Sequence, residues 1–118
     1  MRRFVAKALA SAEYPDANTF VVILAEHPDG SGARLEIQKP LSSDEQDRRL
    51  GLDTYCLCTE DGATHYGGVM SWTLTQSSLE IVLDAKAAEA LGVEGGFVVD
   101  FAPESRTALK GGLERVLG

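Results

Sequence analysis

The chain has 118 residues, 44% of them hydrophobic and 25% charged, which is the composition of a globular protein able to bury its own core. Its 18 acidic residues against 11 Lys and Arg leave a net charge of −7, which argues against binding nucleic acid or an anionic membrane, since both need a basic footprint. No apolar run approaches the ~20 residues of a membrane-spanning helix, and the expectation is a single cytoplasmic domain over residues 1–118.

The opening Met1-Arg2-Arg3-Phe4-Val5-Ala6 is basic and then apolar. Lys7 interrupts it, and Glu13 and Asp16 follow, so it reads as a first strand in preference to a signal peptide. Phe20, Val22 and Leu24 alternate with Val21 and Ile23, a strand buried on both sides. His27–Gly32 is a turn, and Leu35 and Ile37 alternate with Arg34, Glu36 and Gln38 in a half-buried strand. Ser42–Gly51 predicts a short polar surface helix. Ser42 with Glu45, or Ser43 with Gln46, forms a capping box, and Gly51 supplies the left-handed stop.

Leu52–Glu60 and Ala63–Tyr66 then read as a hairpin about a two-residue Asp61-Gly62 turn, with Gly67-Gly68 as a bulge. Met70, Trp72 and Leu74 share one face of the next strand, and Leu79, Ile81 and Leu83 line the one after it. Asp84 caps a helix over Ala85–Leu91 that Gly92 closes; Phe97, Val99 and Phe101 form the last strand. Leu109, Leu113, Val116 and Leu117 fall on one stripe of a C-terminal helix, weakened by Gly111-Gly112. The fold class is α+β: a mostly antiparallel β-meander of six to seven strands, with two to three helices packed on one side.

Gly62-Ala-Thr-His-Tyr-Gly67-Gly68-Val69 looks briefly like a phosphate loop, but a P-loop needs Lys and Ser or Thr after its last glycine, then a helix. Gly68 and Val69 stand there, and a strand follows. In the two-residue register Cys58 faces His65 and Leu57 faces Tyr66, so one face carries Cys56, Cys58 and His65. Such a face admits a metal- or small-ligand-binding site, or a Cys58 nucleophile with His65 as base. However, Cys-x-Cys on a flat strand lacks the curl of a zinc knuckle, and no orienting acid or oxyanion loop is evident. The favoured reading is two reduced core thiols with no metal and no cofactor.

Taken whole, Leu52-Asp-Thr-Tyr-Cys-Leu-Cys-Thr-Glu-Asp-Gly-Ala-Thr-His-Tyr-Gly-Gly-Val69, followed by the Trp72 strand, Leu79–Leu83 and Ala87-Ala-Glu-Ala-Leu-Gly92, resembles the bacterial immunity protein 10 family. The resemblance runs from about Arg3 to the end. It implies a non-catalytic antitoxin, part of a polymorphic toxin system used in competition between bacteria, that binds a cognate toxin and blocks it by occlusion. The acidic surface suits a basic toxin. On this reading the candidate toxin contacts are Asp44, Glu45 and Asp47 on the polar helix, with Glu60, Asp61, His65 and Tyr66 at the hairpin.

Overall fold

The computed structural model describes residues 1–42, 44–50 and 54–118, and at Asp47 the backbone alone. Ser43 and Gly51, read above as cap residues, lie outside the described residues, as do Leu52 and Asp53 of the strand expected from Leu52. The α+β class holds. Among the described residues the strands number nine and divide between two sheets.

The first sheet has β1 (Arg2–Val5), β9 (Gly96–Asp100), β8 (Ser78–Leu83) and β7 (Val69–Leu74) in that spatial order. β1 runs parallel to β9, and the other pairs are antiparallel. The second sheet is wholly antiparallel, in the order β2 (Ala8–Tyr14), β3 (Thr19–Ala25), β4 (Arg34–Pro40), β5 (Cys56–Thr59), β6 (Thr64–Tyr66). Helices α1 (Glu45–Arg49), α2 (Ala85–Leu91) and α3 (Arg106–Leu117) complete it, with single 3₁₀ turns at Pro15–Ala17 and Pro103–Ser105.

One hydrophobic core joins the two sheets with α2 and α3. Phe20, Val22, Leu24, Leu35, Ile37 and Leu57 enter it from the second sheet, and Leu79, Ile81, Leu83, Phe97 and Val99 from the first. Helices α2 and α3 add Ala87, Ala88, Leu91, Leu109, Leu113 and Val116. The period-two alternation of Leu79, Ile81 and Leu83 works as expected, because one face of β8 is dry and the other wet. The α2 caps also form as read: Asp84 Oδ1 accepts the Ala87 amide at 2.8 Å, and Gly92 stops the helix at φ 69°.

Three expectations need correction. Gly67-Gly68 is the point where the chain leaves one sheet for the other, and no bulge forms there. The Gly67 amide still donates to Tyr55 O in the second sheet, while Gly68 O accepts the Asp84 amide beside the first. The bulge falls one step later, between Val69 and Ser71. It rotates Met70 outward to 70% exposure, so only Trp72 and Leu74 keep the inward phase expected of all three. Ser42, read as a helix cap, instead donates its hydroxyl and amide to Asn18 Oδ1, both at 3.1 Å.

The glycines of α3 differ in kind. A Cβ on Gly112 would sit 3.0 Å from Val22 Cγ2, so its bareness lets the helix lie close on β3, whereas Gly111 faces open space. Gly96 is tighter still, at φ 143° with the Ile81 carbonyl oxygen 1.9 Å from any added Cβ. Gly111→Ala is therefore expected to raise unfolding free energy by about 1 kcal/mol through helix propensity. Gly96→Ala is expected to lower it by about 2 kcal/mol or more through strain and overpacking. Urea titration of the two variants checks both signs.

Candidate functional site

The hairpin turn has three residues, Glu60, Asp61 and Gly62, one more than expected. The Thr59 amide donates to Ala63 O at 3.0 Å, and the Gly62 amide to Thr59 O at 3.1 Å, with Gly62 at φ 85°. This is the turn-plus-left-handed-glycine form of hairpin, which Asp-Gly serves as well as it serves the two-residue form. Asp61 favours it: its carboxylate accepts from Thr59 Oγ1 at 2.5 Å and from the Ala63 amide at 3.2 Å. The Thr59 hydroxyl holds the Asp61 carboxyl below its ordinary pKa.

A shift of one residue in pairing turns every side chain of β6 over. Leu57, not Cys58, pairs with His65; Cys56 pairs with Tyr66 and Cys58 with Thr64. The expected Cys56/Cys58/His65 face is therefore not formed. His65 turns to the core side, half-buried, with its ring near Gly68, whose bare Cα also lies close under Ala87 of α2. Tyr66 joins the two cysteines on the opposite face and is 50% exposed.

That outer face can be read row by row from the register. Ala12, Val21, Gln38, Cys56 and Tyr66 cross all five strands in one row, and Ala10, Ile23, Glu36, Cys58 and Thr64 form the next. Helix α3 lies on the other face, as Gly112 over Val22 and Arg115 stacked 4.2 Å from the Phe20 ring both show. The result is a mixed face, small at the alanines of β2 and at the two cysteines, with Tyr14 and Tyr66 exposed at its two margins. Near Tyr66 it dips into an open hollow of about 270 Å³ lined by Asn18, Thr19, Gln38, Lys39 and Cys56.

The cysteine sulfurs are 3.7 Å apart and both thiols are free. Burial, reinforced by Cys56, pushes the Cys58 thiol up to about 12, the reverse of what a nucleophile needs. With His65 on the other face, the base expected for Cys58 is not beside it. Among the described residues no cluster of three or more His, Cys, Asp or Glu side chains could hold a metal. No helix among them is long and apolar enough to cross a membrane.

The acidic candidates are unequal. Glu45 is exposed on α1 and pairs with Arg49 at 2.7 Å; Asp44 is exposed just before that helix, and Asp47 lies on its backbone, its side chain outside the described residues. Glu60 is committed to the fold. It forms a two-pronged pair with Arg2 of β1, one contact at 2.9 Å, and accepts the Arg34 amide at 3.2 Å. Val21 is buried as expected, but Tyr14 and the alanine face of β2 beside it were not expected from the sequence. The signal was Ala8, Ala10 and Ala12 at alternate positions, a strand face too small to be core and too plain to be solvent-directed.

The Arg2 guanidinium, mainly by hydrogen bonding, holds the Glu60 carboxyl below its ordinary value of 4.5. A lowered carboxylate pKa stabilises the fold above the unfolded value, and the stabilisation disappears as pH falls through the folded one. Arg2→Gln is expected to return Glu60 toward 4.5 and to cost less than ~1 kcal/mol near neutrality, because the pair is partly exposed. That difference should shrink as pH falls below the ordinary carboxylate range. Carboxyl NMR titration with urea unfolding across pH measures both.

Neither a curated protein nor a solved structure matches the chain at a significant level. The family model described as immunity protein 10 does match, over residues 5–108, which takes in β2 to β9, both margins of the outer face and the first turn of α3. The chain belongs to the immunity protein 10 family.

Proposed function

We propose that the protein neutralises a cognate bacterial toxin by binding it one to one and covering its working site, without catalysing a reaction itself. The observation that carries this reading is the family match across residues 5–108. The raised Cys58 thiol and its separation from His65 support a binding role over a catalytic one.

The toxin meets the outer face of the five-stranded sheet at the Tyr66 margin, with Asp44, Glu45 and Asp47 of the α1 segment and Asp61 of the turn as flanking acids, while Glu60 holds the turn in place through Arg2. Tyr66 is the anchor. It is exposed, rigidly held on a paired strand, and beside a hollow that a protruding side chain of the partner can fill. His65, turned toward α2, positions the hairpin from behind. A standard interface covers about 800 Å² per partner, an area the sheet face and α1 together can supply. A basic toxin suits the net charge of −7.

Co-expression with the toxin encoded beside this chain tests the reading, and it is expected to give surviving cells and a one-to-one complex on purification. Continued toxicity, or survival with no complex, would contradict it. Tyr66→Ala is expected to weaken binding about tenfold or more, as truncation of an aromatic anchor does. Reversing Asp44, Glu45 and Asp47 to lysine is expected to slow association and remove its salt dependence; unchanged kinetics would take α1 out of the interface.

A further inference from the structure

Among the described residues four strands lie at sheet edges: β1 and β7 in one sheet, β2 and β6 in the other. An open edge presents unpaired backbone groups, and proteins ordinarily guard it with charge, proline, shortness or a covering element. Three of these edges are guarded. β1 carries Arg2 and Arg3; β2 carries Glu13, with Lys7 before it and Pro15 after; β6 has only three residues and lies against α2. β7, Val69–Leu74, has neither charge nor proline. It sits in a run from Gly62 to Leu79 that contains no Asp, Glu, Lys or Arg, in a chain that is 25% charged.

The ladder shows which backbone groups are open. The Thr75 amide donates to Ser78 O at 2.8 Å, and Thr73 and Ser71 pair with Glu80 and Val82. Alternation in an antiparallel ladder then turns the N–H and C=O of Trp72 and Leu74 away from β8. The Tyr55 hydroxyl takes the Val69 amide at 2.9 Å, so the open edge begins beyond it.

We propose that β7 is the seam of a homodimer, pairing antiparallel with β7 of a second copy about a twofold axis at Thr73. A second copy is the occupant that the strand itself fits, since pairing it with its own sequence sets no Asp, Glu, Lys or Arg against another. Two chains of net charge −7 repel over most of their surface, and the uncharged run is where they can meet without opposing like charges. With the axis at Thr73, Trp72 lies opposite Leu74 of the second copy, and their open backbone groups bond in both directions. Thr73 faces Thr73, and Ser71 faces Thr75, cross-strand pairs that favour association. Glu80 is the acid next to the seam, on β8 opposite Thr73. The Glu80 side chains of the two copies stand three strand spacings apart, ~14 Å, beyond the ~8 Å screening length at physiological salt. Arg106 donates Nε to Thr75 O at 3.1 Å and marks the far end of the strand. The seam uses neither Tyr66 nor α1, so it stands or fails separately from the toxin reading.

Sedimentation velocity of the purified chain, with circular dichroism on every variant, tests the seam. The wild type is expected to form a reversible dimer of twice the 12.6 kDa chain mass. Thr73→Lys keeps the fold, because Glu80 lies across from it on β8, yet sets two lysines opposite each other at the axis. It is expected to weaken the dimer about fivefold or more. Ser71→Lys with Thr75→Lys should also dissociate it, whereas Ser71→Lys with Thr75→Glu, which sets Lys against Glu in this register, should hold it at least as tightly as the wild type. A wild-type chain that stays monomeric up to roughly 1 mM would overturn the proposal. So would a dimer that Thr73→Lys and the double-lysine variant leave unchanged, or a Lys/Glu variant that dissociates as readily as the double-lysine one.

Discussion

The hydrogen bond from the Thr59 amide to the Ala63 carbonyl, 3.0 Å long, sets the register of β5 against β6 and with it the identity of the outer face. A β-sheet side chain has only two directions to choose from, so a turn longer by one residue exchanges the surface set for the core set. Asp61 makes the choice. Its carboxylate bridges the Thr59 hydroxyl and the Ala63 amide, which requires Glu60 to lie within the loop and not in the ladder. Tyr66 then stands beside Cys56 on the open face, and His65 moves behind it toward α2.

The same hairpin is tied into the rest of the molecule from both ends. Glu60 reaches Arg2 of β1, so a side chain of one sheet is held by the turn of the other. At the far end the successive residues Gly67 and Gly68 bond to different sheets, through the amide of the first and the carbonyl of the second, which fixes where the chain changes layers. A Cβ at Gly68 would stand 2.5 Å from Ala87 Cβ, so α2 closes over this junction and braces it. The outer face is thus carried by a sheet whose back is packed against a continuous core that α2 and α3 help to close. This is the rigidity a binding surface needs if little ordering is to be lost on association.

Local features were legible in the residues and non-local ones were not. Leu79, Ile81 and Leu83, the Asp84 cap and the Gly92 stop could be read directly, because each depends on neighbours within a few positions. The Leu109, Leu113 and Val116 stripe was legible for the same reason. The division into two sheets depends on which distant strands pair, and the alternation within each strand carries no information about that. Met70 was misplaced because a bulge inserts one residue into the period, which alternation alone cannot register. The hairpin was found but its register was not, since Asp-Gly serves both loop lengths and the Thr59–Asp61 contact that decides between them is a side-chain bond. Of the candidate site, Tyr66 was placed on the surface for the wrong reason, Glu60 proved to be bound to Arg2, and Tyr14 was overlooked.

Because the surface, the separation of Cys58 from His65 and the anchor role proposed for Tyr66 all rest on one register, the interstrand Hα–Hα contacts of β5 and β6 are the measurement to make. In an antiparallel pair these are close only at the non-hydrogen-bonded positions, where Cα atoms are ~4.5 Å apart. Two-dimensional NMR of the free protein is expected to show them joining Cys58 to Thr64 and Cys56 to Tyr66. Contacts joining Thr59 to Thr64 and Leu57 to Tyr66 instead would contradict the account.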